Sequence, residues 1–360
     1  MTTTDHRPRS YAETEMTRQL CDRPAMIDTE FARIVDELTR RKFLTGAVGA
    51  AALLGLTACG SGSSASTAPS SPTPSASTRS IDTAKGAVDV PADPARVVAI
   101  QPSAFATLCD LGVATLGVYD EGAQYVSPRY LARYDAAPKI GTGGQINVEK
   151  VAALRPDLII GVDYSWNTDV YGDLTKVAPT VIAPSTGWKA TARTVADAVN
   201  REAKLSDLAD HMTQRAAAIK ESYAAALARY RWDIVQGGFD AGQYWLYGPG
   251  SDIGEILASA GVRFATGSAE TPGAGNRALS YEKIDVLGDA DVIGFYSNFD
   301  GTPNNEAPQL FAQPGFQNLA ATKAGRLVPI PDFLPGGYGD ALAALDELEA
   351  GLKKLQAGVS

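Results

Sequence analysis

The chain has 360 residues, 45% of them hydrophobic, and a formal net charge of −9. That is enough apolar matter for a sizeable core in about two domains, and an acidic chain without a basic patch argues against nucleic acid as a partner. Of three cysteines, Cys21 and Cys59 precede the expected folded region, so Cys109 stands alone there and a disulfide framework is excluded; two histidines, His6 and His211, are too few for most imidazole-based metal sites.

Residues 1–38 form a mixed-charge extension, from which a downstream start at Met16 or Met26 is expected. Residues 39–59 read as an export signal. Arg40-Arg41-Lys42-Phe43-Leu44 leads into an uncharged small-residue run, 47–58, too short to span a bilayer comfortably, and the segment ends at Leu56-Thr57-Ala58-Cys59. This resembles a twin-arginine signal peptide fused to a bacterial lipobox, with Cys59 as the lipidated first residue. The Ser/Ala/Thr/Gly/Pro-rich stretch 60–80 reads as a flexible tether.

The first α/β half, 81–201, opens with Arg96-Val97-Val98-Ala99-Ile100, a run suited to a buried parallel strand. A helical segment stops at Gly112, and Cys109 within it reads as a small buried residue. A loop carrying Tyr125 and Arg129 follows. Then a short helix through Asn147-Val148-Glu149-Lys150 runs into the strand Leu158-Ile159-Ile160-Gly161.

No glycine or proline interrupts the chain between Gly187 and Gly237. Within that stretch, Leu205, Leu208, Met212, Ala216, Ile219, Tyr223, Ala226 and Tyr230 recur in steps of three or four, the period of a helix with one buried stripe. The spacing predicts one helix over 202–230, about 40 Å long, a strut between two bodies. The half that follows, 231–360, repeats the plan. Asp233-Ile234-Val235 and Tyr244-Trp245-Leu246-Tyr247 are strand-like; Ser280-Tyr281-Glu282-Lys283-Ile284 leads into Asp291-Val292-Ile293-Gly294; and a final helix closes the chain. The expected fold is therefore α/β: two parallel-sheet lobes joined by one long connecting helix, with a ligand cleft between the lobes.

Over residues 85–356 the chain resembles the iron-siderophore and cobalamin class of ABC-transporter substrate-binding proteins, which have two α/β lobes and one rigid connecting helix. The resemblance is carried by Pro94-Ala95-Arg96-Val97-Val98, Asn147-x-Glu149, Pro156-Asp157-Leu158-Ile159, Ser280-x-Glu282 and Asp291-Val292-Ile293, together with the lipobox. It implies a monomer on the outer face of the cytoplasmic membrane, anchored by lipid on Cys59, that captures a ferric siderophore. It also implies that Glu149 and Glu282, one per lobe, pair with arginine pockets on the permease transmembrane subunits. Each glutamate also suits a helix N-terminus, with Asn147 and Ser280 as caps.

The resemblance and the strand ends together give an expected ligand set: Tyr125, Arg129, Tyr164 and Trp166 from the first lobe, and Tyr247, Arg277, Tyr296, Phe299, Phe333 and Tyr338 from the second. Aromatic rings offer flat apolar contact and arginines offset chelate charge. Trp188 and Trp245 are assigned to packing. Hydroxamate binders of the class carry an arginine and a tryptophan where this chain has Gln145 and about Thr266. Either Arg129 and Arg277 take over the charge role, or the ligand is less anionic. The chelator fills the coordination shell of the iron, so no protein metal ligand or other cofactor is expected. Cobalamin and haem are alternative ligands, and a ligand-sensing surface lipoprotein is an alternative role. An enzyme is not expected: Gly141-Thr142-Gly143-Gly144 lacks the Lys-Ser/Thr pair of a phosphate loop, and no nucleophile elbow or histidine cluster is present.

Overall fold

A computed structural model describes residues 77–165, 169–271 and 275–357, all within one compact unit, Thr73–Ser360. The signal segment with Cys59 and the expected ligand residue Trp166 lie outside the described residues. A hairpin opens the fold: β1 (Thr78–Thr83) pairs antiparallel with β2 (Gly86–Pro91). Its first residues belong to the stretch read as tether.

The first lobe is built on a six-stranded sheet. β3 (Val97–Ala99) lies at its centre between β4 (Thr115–Asp120) and β7 (Leu158–Val162). β8 (Thr180–Ala183) and β5 (Lys139–Thr142) flank them in parallel, and β6 (Gln145–Ile146) turns back antiparallel at the edge. Val97, Val98, Ala99, Leu158, Ile159 and Ile160 are fully buried, as a parallel sheet covered on both faces requires. Four helices matter here: α1 (Pro102–Asp110), α2 (Pro128–Ala136), α3 (Val148–Ala153) and α4 (Trp188–Ala198). Proline at the first turn of α1 and the Gln101 side chain, which accepts from the Ser103 amide, start that helix directly after the central strand.

The connecting segment is two helices, not one. α5 (Glu202–Ser222) ends at Tyr223, whose backbone (φ −117°, ψ 22°) is not helical, and α6 (Ala224–Arg229) continues. The buried Tyr223 ring packs into the second lobe, and its hydroxyl donates to Glu349 Oε1 at 3.1 Å. The stripe read from the sequence is nevertheless what spans the lobes. Leu205 and Leu208 pack on the first-lobe core, whereas Met212, Ala216, Ile219, Tyr223, Ala226 and Tyr230 belong to the second.

The second lobe also has six strands, and its sheet too is mixed. β9 (Arg231–Gly237), β13 (Val292–Tyr296) and β14 (Leu327–Ile330) run parallel, and the short β11 (Arg263–Phe264) joins β9 in the same sense. β10 (Gln243–Tyr247) is antiparallel to β9 and to β12 (Asn276–Ser280). The physical reason is the link at 238–242: it is far too short for a parallel crossover, which takes a dozen or more residues. α7 (Asp252–Ser259) and the closing α8 (Tyr338–Ala357) complete the lobe, with Leu345, Leu348 and Leu352 of α8 fully buried.

The start of α8 also reaches the first lobe. Thr107 of α1 donates to the Gly336 carbonyl (2.9 Å), and the Gly339 amide donates to Asp110 Oδ2 (2.8 Å). Two glycines make this approach possible: a Cβ at Gly339 would lie 2.3 Å from Tyr130 Oη, and one at Gly337 would lie 2.5 Å from Asp110 Oδ2.

Candidate functional site

Ligands of open α/β sheets bind outside the carboxyl ends of the strands. In this protein those ends from both sheets converge on two adjoining cavities, about 450 and 350 Å³, that share Glu121, Tyr125, Ser127, Leu334 and Asp340. The first lobe contributes Gln101 after β3, Glu121, Tyr125 and Ser127 after β4, and Tyr164 after β7. The second contributes Gln236 and Phe239 around the end of β9, Tyr296 and Phe299 at β13, and Pro331, Asp332 and Leu334 after β14.

Four residues of the expected ligand set therefore line the cavities: Tyr125, Tyr164, Tyr296 and Phe299. Tyr125 is 48% exposed and Tyr164 45%. Tyr296 stacks on Phe333 at 5.3 Å, and burial pushes its hydroxyl up to about 12.

The structure gives the other described members different surroundings. Phe333 is fully buried behind Tyr296, with Tyr247 edge-on to it at 4.9 Å. Tyr247 is itself buried, and its hydroxyl donates to Gln236 Oε1 at 2.5 Å. Tyr338 packs edge-on against Trp188 at 4.7 Å. Arg277 lines neither cavity and donates to the Gly267 carbonyl at 3.1 Å. Arg129 donates to both carboxylate oxygens of Asp332 (3.0 and 3.2 Å) and to Asp340 (2.7 Å), so its fork is filled by the second-lobe segment that carries the cleft acids. Trp188 is buried, as its assignment to packing requires, whereas Trp245 is half-buried with Phe239 edge-on at 6.3 Å.

The sequence reading missed the polar wall. Glu121 stands one residue past β4, half-buried; burial, then the charges of Asp340 and Asp120, push its carboxyl up to about 8. Asp340 is buried and its carboxyl is also raised, by burial and then by Asp332, with Arg129 opposing. Gln236 and Ser127 are buried at the cavity wall, and Gln236 Nε2 and Ser127 Oγ have no hydrogen-bond partner. Position directly past a strand end was the available signal for Glu121 and Asp332. Among the described residues, no three His, Cys, Asp or Glu are grouped to hold a metal ion.

Glu149 and Glu282 lie away from these cavities, each in the first turn of a helical segment. Asn147 Oδ1 accepts from the Lys150 amide at 2.7 Å, and Ser280 Oγ accepts from the Glu282 amide at 3.3 Å. Neither glutamate holds an ion pair among the described residues, and Glu282 is exposed.

Comparison with known proteins agrees with this architecture. The chain is 28% identical over 313 residues to the probable siderophore-binding lipoprotein YfiY of Bacillus subtilis, a match that covers 83% of this chain and 94% of that protein. It is 39% identical over 98 residues to the putative ABC transporter substrate-binding lipoprotein YhfQ of the same organism, where the match spans 27% of this chain and 30% of that protein. Among solved structures, the siderophore periplasmic binding protein from the fuscachelin gene cluster of Thermobifida fusca superposes with a TM-score of 0.63 at 27% identity, covering 74% of this chain and 98% of that one. The family model described as "Periplasmic binding protein" matches residues 97–333, and the chain belongs to that family.

Proposed function

We propose that this protein is the extracytoplasmic solute-binding component of an ABC importer, which captures a ferric siderophore between its lobes and delivers it to the permease. The observation that carries the reading is the pair of cavities walled by Tyr125, Tyr164, Tyr296 and Phe299 at the strand ends of both sheets. Flat aromatic walls suit a bulky, preformed chelate, which needs orientation and exclusion from water but no protein ligand to the iron. Similarity to a probable siderophore-binding lipoprotein over nearly its whole length supports the siderophore over cobalamin or haem. In this reading the protein carries its ligand without chemically changing it. Lipid on Cys59 holds it at the outer face of the cytoplasmic membrane, the 60–80 stretch acts as tether, and Glu149 and Glu282 dock the two lobes on the permease.

A tryptophan-fluorescence titration of the purified protein with ferric chelates, haem and cobalamin tests the ligand class. Phe239 lies against Trp245 at the cavity, so occupancy has a nearby reporter. Saturable sub-micromolar quenching by a ferric chelate, and not by its iron-free form, is the expected result. Saturation by cobalamin or haem alone would overturn the iron assignment.

A further inference from the structure

The two interlobe cavities are acidic and aromatic, and among the described residues no lysine, arginine or histidine lines either of them. Glu121, Asp252, Asp332 and Asp340 do, and because Glu121 keeps its proton near neutral pH the negative charge of the wall comes from the aspartates. The residues outside the description at 166–168 and 272–274 are Trp, Asn, Thr, Pro, Gly and Ala, so they add no cation to the loops they belong to. The two arginines expected to meet a chelate's charge are committed elsewhere. Arg129 is shared between Asp332 and Asp340, two carboxylates to one guanidinium, and Arg277 serves the Gly267 carbonyl.

The polar atoms of the wall left without a partner are neutral, and they are themselves buried. The Gln236 amide oxygen already accepts from Tyr247, which leaves its Nε2 as a donor without a protein partner; Gln236 is 1% exposed. Ser127 Oγ, in a residue 6% exposed, is also unpartnered. Both residues belong to the cavity wall. Like charges brought together in a partly dehydrated site repel strongly, whereas aromatic faces attract cations.

Ferric chelates differ sharply on this axis. Three hydroxamate groups cancel the ferric charge, and a pendant ammonium makes such a complex cationic. Three catecholates, or citrate, leave the complex anionic.

We propose that the cleft selects ferric chelates of neutral or positive net charge, of which trihydroxamates are the type, and rejects catecholate and citrate complexes. This rests on the siderophore-carrier reading and narrows it. The raised carboxyl of Glu121 is consistent with it: after burial, the causes are the negative charges of Asp340 and Asp120, a local potential that favours an incoming cation.

The test is a quenching titration of the purified protein with four complexes: ferric desferrioxamine B (cationic), a neutral cyclic ferric trihydroxamate, a ferric tris-catecholate and ferric citrate. The first two are expected to bind at least about 100-fold more tightly than the anionic pair. Asp332→Asn, which unloads Arg129, should shift that ratio toward the anionic complexes by about tenfold or more. Asp252→Asn leaves the Arg129 cluster intact and should shift the ratio in the same direction by less, so the test survives if Asp332→Asn does not fold. Equal or tighter binding of a tris-catecholate or citrate complex by the unaltered protein overturns the charge selection and leaves the carrier reading standing. A ratio unmoved in both folded variants also overturns it. Absence of binding by every ferric complex overturns the carrier reading and the selection with it.

Discussion

Glu121 holds a proton that an unfolded chain would release. Its ordinary value is 4.5, and in the fold it rises to about 8. The protonated form is favoured by burial, so this contribution to stability is fully present below 4.5 and is lost as pH rises through 8. Glu121→Gln keeps the shape and removes the titration. The melting temperature of the variant should match the unaltered protein below pH 4.5, exceed it by a gap that widens between 4.5 and 8, and keep that gap at higher pH; a constant gap across the whole range would refute the assignment. Arg129 shows why residue roles were the least legible feature of the sequence. It was read as a charge for the ligand because a loop was expected there, but it stands in the first turn of α2, its partners lie 203 and 211 residues further along the chain, and no local pattern announces them. Tyr247 has surroundings that the sequence does not announce either. It does end a strand, yet it is buried and its hydroxyl is taken by Gln236 on the neighbouring strand. The loop aromatics Tyr125, Tyr164 and Phe299, which follow parallel strands, were legible because the topology itself sends such loops to the cleft.

At the scale of elements, buried parallel strands and the helical stripe were readable from period and apolar content alone. The antiparallel return at β10 was not read, although the short link before it carries that information. The helix break at Tyr223 has no glycine or proline to mark it; it comes from packing the tyrosine ring into the second lobe and its hydroxyl against α8. The start of α8 gives the sharpest test at this level. A glycine inside a helix ordinarily gains about 1 kcal/mol on change to alanine. At Gly339 the added methyl would meet Tyr130 Oη at 2.3 Å and Asp110 Oδ1 at 2.4 Å. Gly339→Ala is therefore expected to destabilise by about 1–3 kcal/mol, read as a lower denaturant midpoint. A gain in stability would show that the contact between α8 and the first lobe yields easily.

At the scale of the molecule, the lobes are joined by α5 and α6, whose stripe packs on both cores, by the contacts of the 332–340 segment with α1 and α2, and by contacts of α4 with the second lobe, among them the Lys189–Glu255 ion pair to α7. A frame of that kind disfavours large rotation of one lobe on the other, so recognition by a permease has to read surface features already in place. Glu149 and Glu282 fit that role, one per lobe, outside the cavities and without ion pairs among the described residues. Charge reversal at both, Glu149→Lys with Glu282→Lys, should abolish uptake in cells and leave chelate affinity within about twofold, because screened surface charges at a distance perturb a site little. Loss of binding in the purified double variant would make the two residues structural instead.

The 332–340 segment has one more consequence, for synthesis. A ribosome releases the first lobe, the connecting helices and most of the second lobe before it reaches Asp332, and domains fold in that order as they emerge. The acids that fill the fork of Arg129, and the glycines that let α8 touch α1, are therefore made after the first lobe, the connecting helices and the strands of the second lobe. A chain that stops before α8 would keep the strand-end walls of the cleft but lose Asp340 and the contacts of α8 with the first lobe. The two cavities, both lined by Asp340, are therefore completed only once the start of α8 has been made and packed.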